Sequence, residues 1–179
     1  MIYVLLADGF EEIEALAPVD ILRRAGLALE TVGITGKVVC GAHGITVEAD
    51  ILPEKANEKI DLLILPGGMP GAANLDASPA AMALLERAEK EGALLAAICA
   101  APFILGKRGL LRGKRYTCFP GFEEGLDGIH CPEERVVRDG RVITAKGMGA
   151  AAEFGLMLLS ALGKEKEGEG IAASAFIRA

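Results

Sequence analysis

The segment Asp61-Leu62-Leu63-Ile64-Leu65-Pro66-Gly67-Gly68, continued through Ser78-Pro79 and Gly92 to Ala93-Leu94-Leu95-Ala96-Ala97-Ile98-Cys99, decides the fold. Its two apolar runs, Asp61 to Leu65 and Ala93 to Ile98, are short and do not alternate with polar residues. Strands covered on both faces of a parallel sheet have this composition. Between them Ser78 is placed to cap a helix and Pro79 to occupy its first turn, while Met82, Leu85 and Ala88 form one apolar stripe and Gly92 ends it. The segment is a strand-helix-strand unit.

Outward from it the same alternation continues. Ile2 to Ala7 and Leu27 to Val32 read as two further buried strands. Glu11 to Arg24 carries Ile13, Leu16, Ala17, Ile21 and Leu22 at helical spacing around Pro18, which predicts a kinked or two-part helix. Gly149 to Leu162 places Phe154, Met157, Leu158 and Ala161 on one helical face, with Gly163 as terminator. Tyr116 to Cys118, Val136-Val137 and Val142 to Thr144 read as short strands, with Asp139-Gly140 as a hairpin turn. The prediction is an α/β protein of three layers: a mostly parallel sheet with helices on both faces and a small antiparallel addition, in one domain over residues 1–179. Lys164 to Gly170 reads as an exposed connection before a small apolar tail.

Composition narrows the function classes. Lys plus Arg number 19 against 25 Asp plus Glu, and a net charge of −6 disfavours nucleic acid and anionic membrane as partners. The densest basic group, Lys107, Arg108, Arg112, Lys114 and Arg115, reads as a solvated loop. No basic leader precedes Ile2 to Ala7, and the longest apolar helix, near Ala150 to Leu162, is interrupted by Glu153, so a cytoplasmic protein is expected. The four cysteines, at 40, 99, 118 and 131, are then expected as free thiols. Cys40-x-x-His43 and His130-Cys131 match no familiar zinc spacing, and no metal or other cofactor is expected.

Ligands of open parallel sheets collect beyond the carboxyl ends of the strands. Cys99 ends an apolar strand and is followed by Ala100, Ala101 and Pro102, which resembles the strained elbow that exposes a nucleophile. A helix starting there would lower the thiol pKa. Gly67-Gly68 after a strand lets backbone N–H groups approach a substrate oxygen. Of Glu11, Glu12 and Glu14, any can complement the helix dipole, and one on the border of the core can be held protonated by burial. Spacing does not choose among them.

The segments Gly9-Phe10-Glu11-Glu12-Ile13-Glu14, Pro18-Val19-Asp20, Arg23-Arg24-Ala25-Gly26, Leu65-Pro66-Gly67-Gly68, Gly71-Ala72-Ala73-Asn74-Leu75 and Ala96-Ala97-Ile98-Cys99-Ala100 resemble, in order, the ThiJ/PfpI family in its DJ-one-like branch, that of the Parkinsonism-associated deglycase. The resemblance implies a flavodoxin-like fold, similar to class I glutamine amidotransferase domains, and a homodimer. It implies that Cys99 is the reactive cysteine and Glu14 its partner acid, and that the amides of Gly67, Gly68 and Ala100 bind an oxyanion. Phe119 stands where the family often has histidine, which leaves a Cys99–Glu14 dyad in a pocket lined by Phe119 and Met148. Ala100 stands where protease-like members have histidine, and no histidine follows His130 to serve an amidotransferase. The implied activity is cofactor-independent detoxification of small reactive aldehydes: methylglyoxal to lactate, removal of glyoxal adducts, or both. Redox sensing or chaperoning through oxidation of Cys99, stabilised by Glu14, is the alternative, and a non-catalytic binding module is a third reading.

Overall fold

The computed structural model describes residues 1–177. The chain runs β1 (Ile2–Leu6), α1 (Glu12–Arg24), β2 (Leu29–Gly33), β3 (Val38–Cys40), β4 (Thr46–Glu48), β5 (Leu62–Leu65), α2 (Gly71–Ala77), α3 (Pro79–Lys90), β6 (Leu94–Ile98), α4 (Pro102–Lys107), β7 (Arg115–Tyr116), β8 (Ile129–His130), β9 (Val136–Asp139), β10 (Val142–Ala145), α5 (Ala151–Ala161) and α6 (Glu165–Ser174). A six-stranded sheet has the order β2-β1-β5-β6-β10-β9, parallel except for its edge strand β9. The α/β sandwich expected from the alternation is the observed one.

Neighbouring residues of each strand serve opposite layers. Tyr3 and Leu5 of β1 join Leu63 and Leu65 of β5 in a core under α3 and α4, whereas Ile2, Val4 and Leu6 join Leu62, Ile64, Ala96 and Ile98 under α1 and α5. Period-two side chains on a sheet buried on both faces require this division. Helix α5 lies against α1 so closely that a Cβ on Gly155 would come 2.8 Å from Cδ1 of Ile21. Ser78 caps α3 by accepting from the Ala81 amide at 3.3 Å, with Pro79 in the first turn, and Gly92 follows at φ 75°.

Several elements depart from expectation. Helix α1 is not in two parts but one helix that contains Pro18, because the missing N–H costs one hydrogen bond while Ala15, Val19 and Leu22 remain buried. Lys164 to Gly170 is largely exposed, as expected, but is not an irregular connection: Glu165–Ser174 is a helix whose Gly168 is buried beside Leu159 on α5. The predicted tail ends at Arg178 and Ala179, outside the described residues. The β3–β4 hairpin, helix α2 and strand β8 carry no strong periodicity, and their short spans explain why.

Candidate active site

Strands β1, β5, β6 and β10 are adjacent, and the segments following them meet at their carboxyl ends. Cys99 follows β6 with φ 62°, a left-handed conformation that costs a non-glycine residue roughly 1–2 kcal/mol. Two backbone hydrogen bonds hold it there. The Cys99 amide donates to the Ala145 carbonyl at 2.9 Å, and the Cys99 carbonyl accepts from the Phe119 amide at 2.8 Å. The expected elbow is therefore built into the chain, and it turns the thiol away from the strand direction.

Glu14 reaches the same point from the first turn of α1. Glu11 caps that helix, its carboxylate accepting from the Glu14 amide at 2.7 Å. Glu14 itself is buried, its Oε2 accepting from the Gly67 amide at 3.1 Å, and the Cys99 thiol and the Met148 amide lie beside its carboxyl and favour its charged form. A Cβ added to Gly67 would lie 2.5 Å from Oε2 of Glu14 and 2.6 Å from Cβ of Cys99, so only glycine leaves the two groups in contact. The amides of Gly68 and Ala100 act on the sulfur in the direction that favours its thiolate.

Two sequence expectations are corrected here. The Cys99 thiol is not lowered: burial first, then the charge and hydrogen bond of Glu14, push it up to about 12. The short helix α4 does not outweigh this desolvation. Gly67 is not free to bind an oxyanion, since its amide is committed to Glu14, which leaves Gly68 and Ala100 as the donors facing sulfur. The expected elevation of Glu14 is present, with burial raising it to about 7 against the hydrogen bonds from Cys99, Gly67 and Met148.

Phe119 and Met148, both about half exposed, line an open pocket of about 430 Å³ with Pro120, Arg135, Lys146, Gly147, Gly149 and Ala150. It abuts the dyad through Gly147, whose Cβ position lies 3.4 Å from the Phe119 ring and 3.8 Å from Oε1 of Glu14. A larger cavity of about 700 Å³ lies past the end of β2, against α3, and is lined by no cysteine.

Glu12 has a different fate from Glu14. It is buried, and its carboxylate accepts from the His43 amide at 2.7 Å, the Ile45 amide at 3.4 Å and the His43 ring, Nδ1 to Oε2, at 2.7 Å. These bonds hold its carboxyl below the usual range despite burial, and the pairing raises His43. The sequence contained this pair without a spacing signal, because 31 residues and a hairpin separate its members. Ligand atoms of Glu11, Glu12 and His43 lie within 4.8 Å of one another, but hydrogen bonds within the protein already occupy them. Among the described residues, Cys40 and His43 do not gather with His130 and Cys131 into one ligand set. His130 instead stacks on Tyr116 at 5.3 Å, and Cys118 is buried, its thiol pushed up to about 12 by burial.

A cysteine with positive φ beside a buried carboxyl, at the strand ends of a parallel sheet, defines a class of small α/β proteins with a cysteine–carboxyl pair at that position. Residues 1–161 match the model of the DJ-1/PfpI family, and the chain belongs to that family. It is 39% identical over 166 residues to the Parkinson disease protein 7 homolog of Danio rerio, covering 89% of this chain and 87% of that protein. It is 36% identical over 163 residues to the glutathione-independent glyoxalase DJR-1.2 of Caenorhabditis elegans, covering 89% and 87% of the two chains. The crystal structure of Drosophila melanogaster DJ-1beta superimposes with a TM-score of 0.94 at 33% identity, covering 99% and 98%. No helix among the described residues is long and apolar enough to cross a membrane.

Proposed function

We propose that this protein is a cysteine-dependent, cofactor-independent enzyme that detoxifies reactive carbonyl compounds, converting methylglyoxal to lactate. The observation that carries the reading is the pairing of Cys99 with Glu14 beneath the amides of Gly68 and Ala100. Because burial and Glu14 raise the thiol, Glu14 acts first as a base. Above pH 7 its carboxylate takes the Sγ proton as sulfur attacks the aldehyde carbon, forming the C–S bond and moving the carbonyl π pair onto oxygen. The amides of Gly68 and Ala100 stabilise that oxygen, and Glu14 returns the proton to it. Glu14 then moves a proton from the former aldehyde carbon to the neighbouring ketone carbon while the hydroxyl proton passes to the former ketone oxygen, oxidising the first carbon and reducing the second. Water hydrolyses the resulting thioester to lactate and regenerates the thiol. Substrate and water supply every atom, so the reaction needs no external oxidant or cofactor.

The deciding experiment is glutathione-free methylglyoxal consumption with lactate quantified, for the wild type beside Cys99→Ser and Glu14→Gln. The wild type is expected to form lactate and both variants to lose at least about a hundredfold in rate; lactate formation retained by Cys99→Ser would refute the mechanism.

Redox sensing is the second reading, favoured by the same amides and by Glu14, which are placed to hold oxygens added to sulfur. Intact mass after graded peroxide tests it: stable oxygen addition confined to Cys99 and lost in Glu14→Gln supports it, and equal oxidation of all four thiols opposes it. We also propose a cytoplasmic homodimer. Exposed Ile13 on α1 and Val38 and Ile45 on the hairpin supply apolar surface for such an association, which sedimentation would test.

A further inference from the structure

We propose that the pocket beside the dyad selects aldehydes with a bulky apolar, preferably aromatic, body that ends in a carboxylate, with Lys146 as the group that recognises the charge. This rests on the carbonyl chemistry proposed above and adds its substrate class. The first observation is size. The pocket holds about 430 Å³, whereas a three-carbon dicarbonyl is far smaller than the ligands that pockets of roughly 300–1,000 Å³ enclose. Methylglyoxal held at Cys99 would leave this pocket, which adjoins the dyad through Gly147, to water.

The second observation is the lining. Phe119, Pro120, Met148 and Ala150 offer one aromatic ring, a thioether and aliphatic surface. Sulfur and ring edges favour an aromatic occupant. The third observation is how charge is distributed. The charge of Arg135 is paired within the protein, its Nε donating to both oxygens of Glu153 at 2.9 and 2.8 Å and its Nη2 to the Gly149 carbonyl. Lys146, in the same lining, donates only to the Pro132 carbonyl, at 2.7 Å, and no carboxylate pairs with it among the described residues. A lysine bonded to one carbonyl keeps two donors and its full charge for a ligand. Glu14 adjoins the pocket through Gly147 and repels an anion from the reacting end. A ligand therefore lies with its aldehyde at Cys99, its ring on Phe119 and Met148, and its carboxylate at Lys146.

The test compares kcat/KM for methylglyoxal, phenylglyoxal and 4-carboxyphenylglyoxal in wild type, Lys146→Gln and Phe119→Ala. The wild type is expected to favour the carboxylated over the plain aromatic aldehyde by about tenfold. Lys146→Gln brings that ratio close to one through KM, and Phe119→Ala lowers the ratio of phenylglyoxal to methylglyoxal. Equal ratios in the wild type, or a Lys146→Gln effect identical for all three substrates, would overturn the proposal. Failure of the carbonyl reading is seen separately, as no turnover of any aldehyde. In that event calorimetric binding of 4-carboxymandelate and mandelate to Cys99→Ser decides: tighter binding of the former that depends on Lys146 sustains the pocket assignment, and equal binding removes it. If Phe119→Ala dissociates a dimer and leaves every ratio unchanged, a second copy of the chain occupies the pocket and the proposal fails.

Discussion

Glu12 and Glu14 leave the same turn of α1, both buried, yet they titrate in opposite directions. Glu12 enters the tip of the β3–β4 hairpin, where two backbone amides and the His43 ring meet a full carboxylate. Glu14 enters the strand ends, where one of its neighbours is a thiol and where Glu11 adds like charge. Burial opposes the charged form of both. Hydrogen bonds outweigh it at Glu12 and fail to do so at Glu14. Helix position is thus a poor guide to the state of a carboxyl, and the donors that tertiary structure brings to it decide between a clamp and an acid-base group.

The largest effect should come from making Glu14 permanently neutral. An acid raised from 4.5 in the unfolded chain to about 7 in the folded one binds more protons when folded, so it withdraws stability as pH rises through that window and no further above it. At about 1.4 kcal/mol per pH unit the full penalty is on the order of 3 kcal/mol. Glu14→Gln should therefore unfold at higher denaturant than wild type at pH 8 and show no such gain at pH 4, while losing activity. A wild type as stable relative to the variant at pH 8 as at pH 4 would mean that Glu14 is not raised.

Gly67→Ala sharpens the contrast from the other side. Its methyl group must displace Glu14 or Cys99, at a cost of about 1–3 kcal/mol, and the inflection near pH 7 that ionisation of Glu14 should impose on alkylation of Cys99 by iodoacetamide should be lost. Unchanged stability together with an unchanged pH profile would show that the two groups are not in contact there.

The smaller effect belongs to Glu12. Its depressed carboxyl contributes stability that is present above 4.5 and lost as pH falls through the folded value. Glu12→Ala removes the acceptor of the His43 and Ile45 amides and should cost about 1 kcal/mol near neutrality, with the difference from wild type shrinking in acid. His43→Ala should cost less, because its ring is exposed. If Glu12→Ala is equally damaging at pH 3 and pH 7, charge at Glu12 is not what holds the hairpin.

Much of the fold was legible because its strands and long helices carry local patterns. Four apolar runs, the Ser78-Pro79 start, the Gly92 stop and the Asp139-Gly140 turn each state a backbone conformation within a few residues. The elements that sequence reading missed are those without such a pattern. The hairpin Val38–Cys40 and Thr46–Glu48 is held by Asp8, Phe10 and Glu12, far away in the chain. Helix α6 forms from a charged, glycine-containing segment whose one buried residue, Gly168, faces Leu159 on α5. Neither partner can be inferred from the segment itself.

For the site, the division follows range. Cys99 at an elbow, glycines after β5 and an acidic first turn of α1 could be read from the chain, since small residues, strand ends and helix starts are local facts. Which of three glutamates reaches the thiol rested on resemblance. The structure alone decided that Gly67 serves Glu14 and not an oxyanion, that Met148 contributes an amide as well as a side chain, and that Glu12 is bound to His43. It alone reversed the expected titration of Cys99. A pKa is set by the solvent excluded and the donors gathered around a group in three dimensions, and no spacing along a sequence records either quantity.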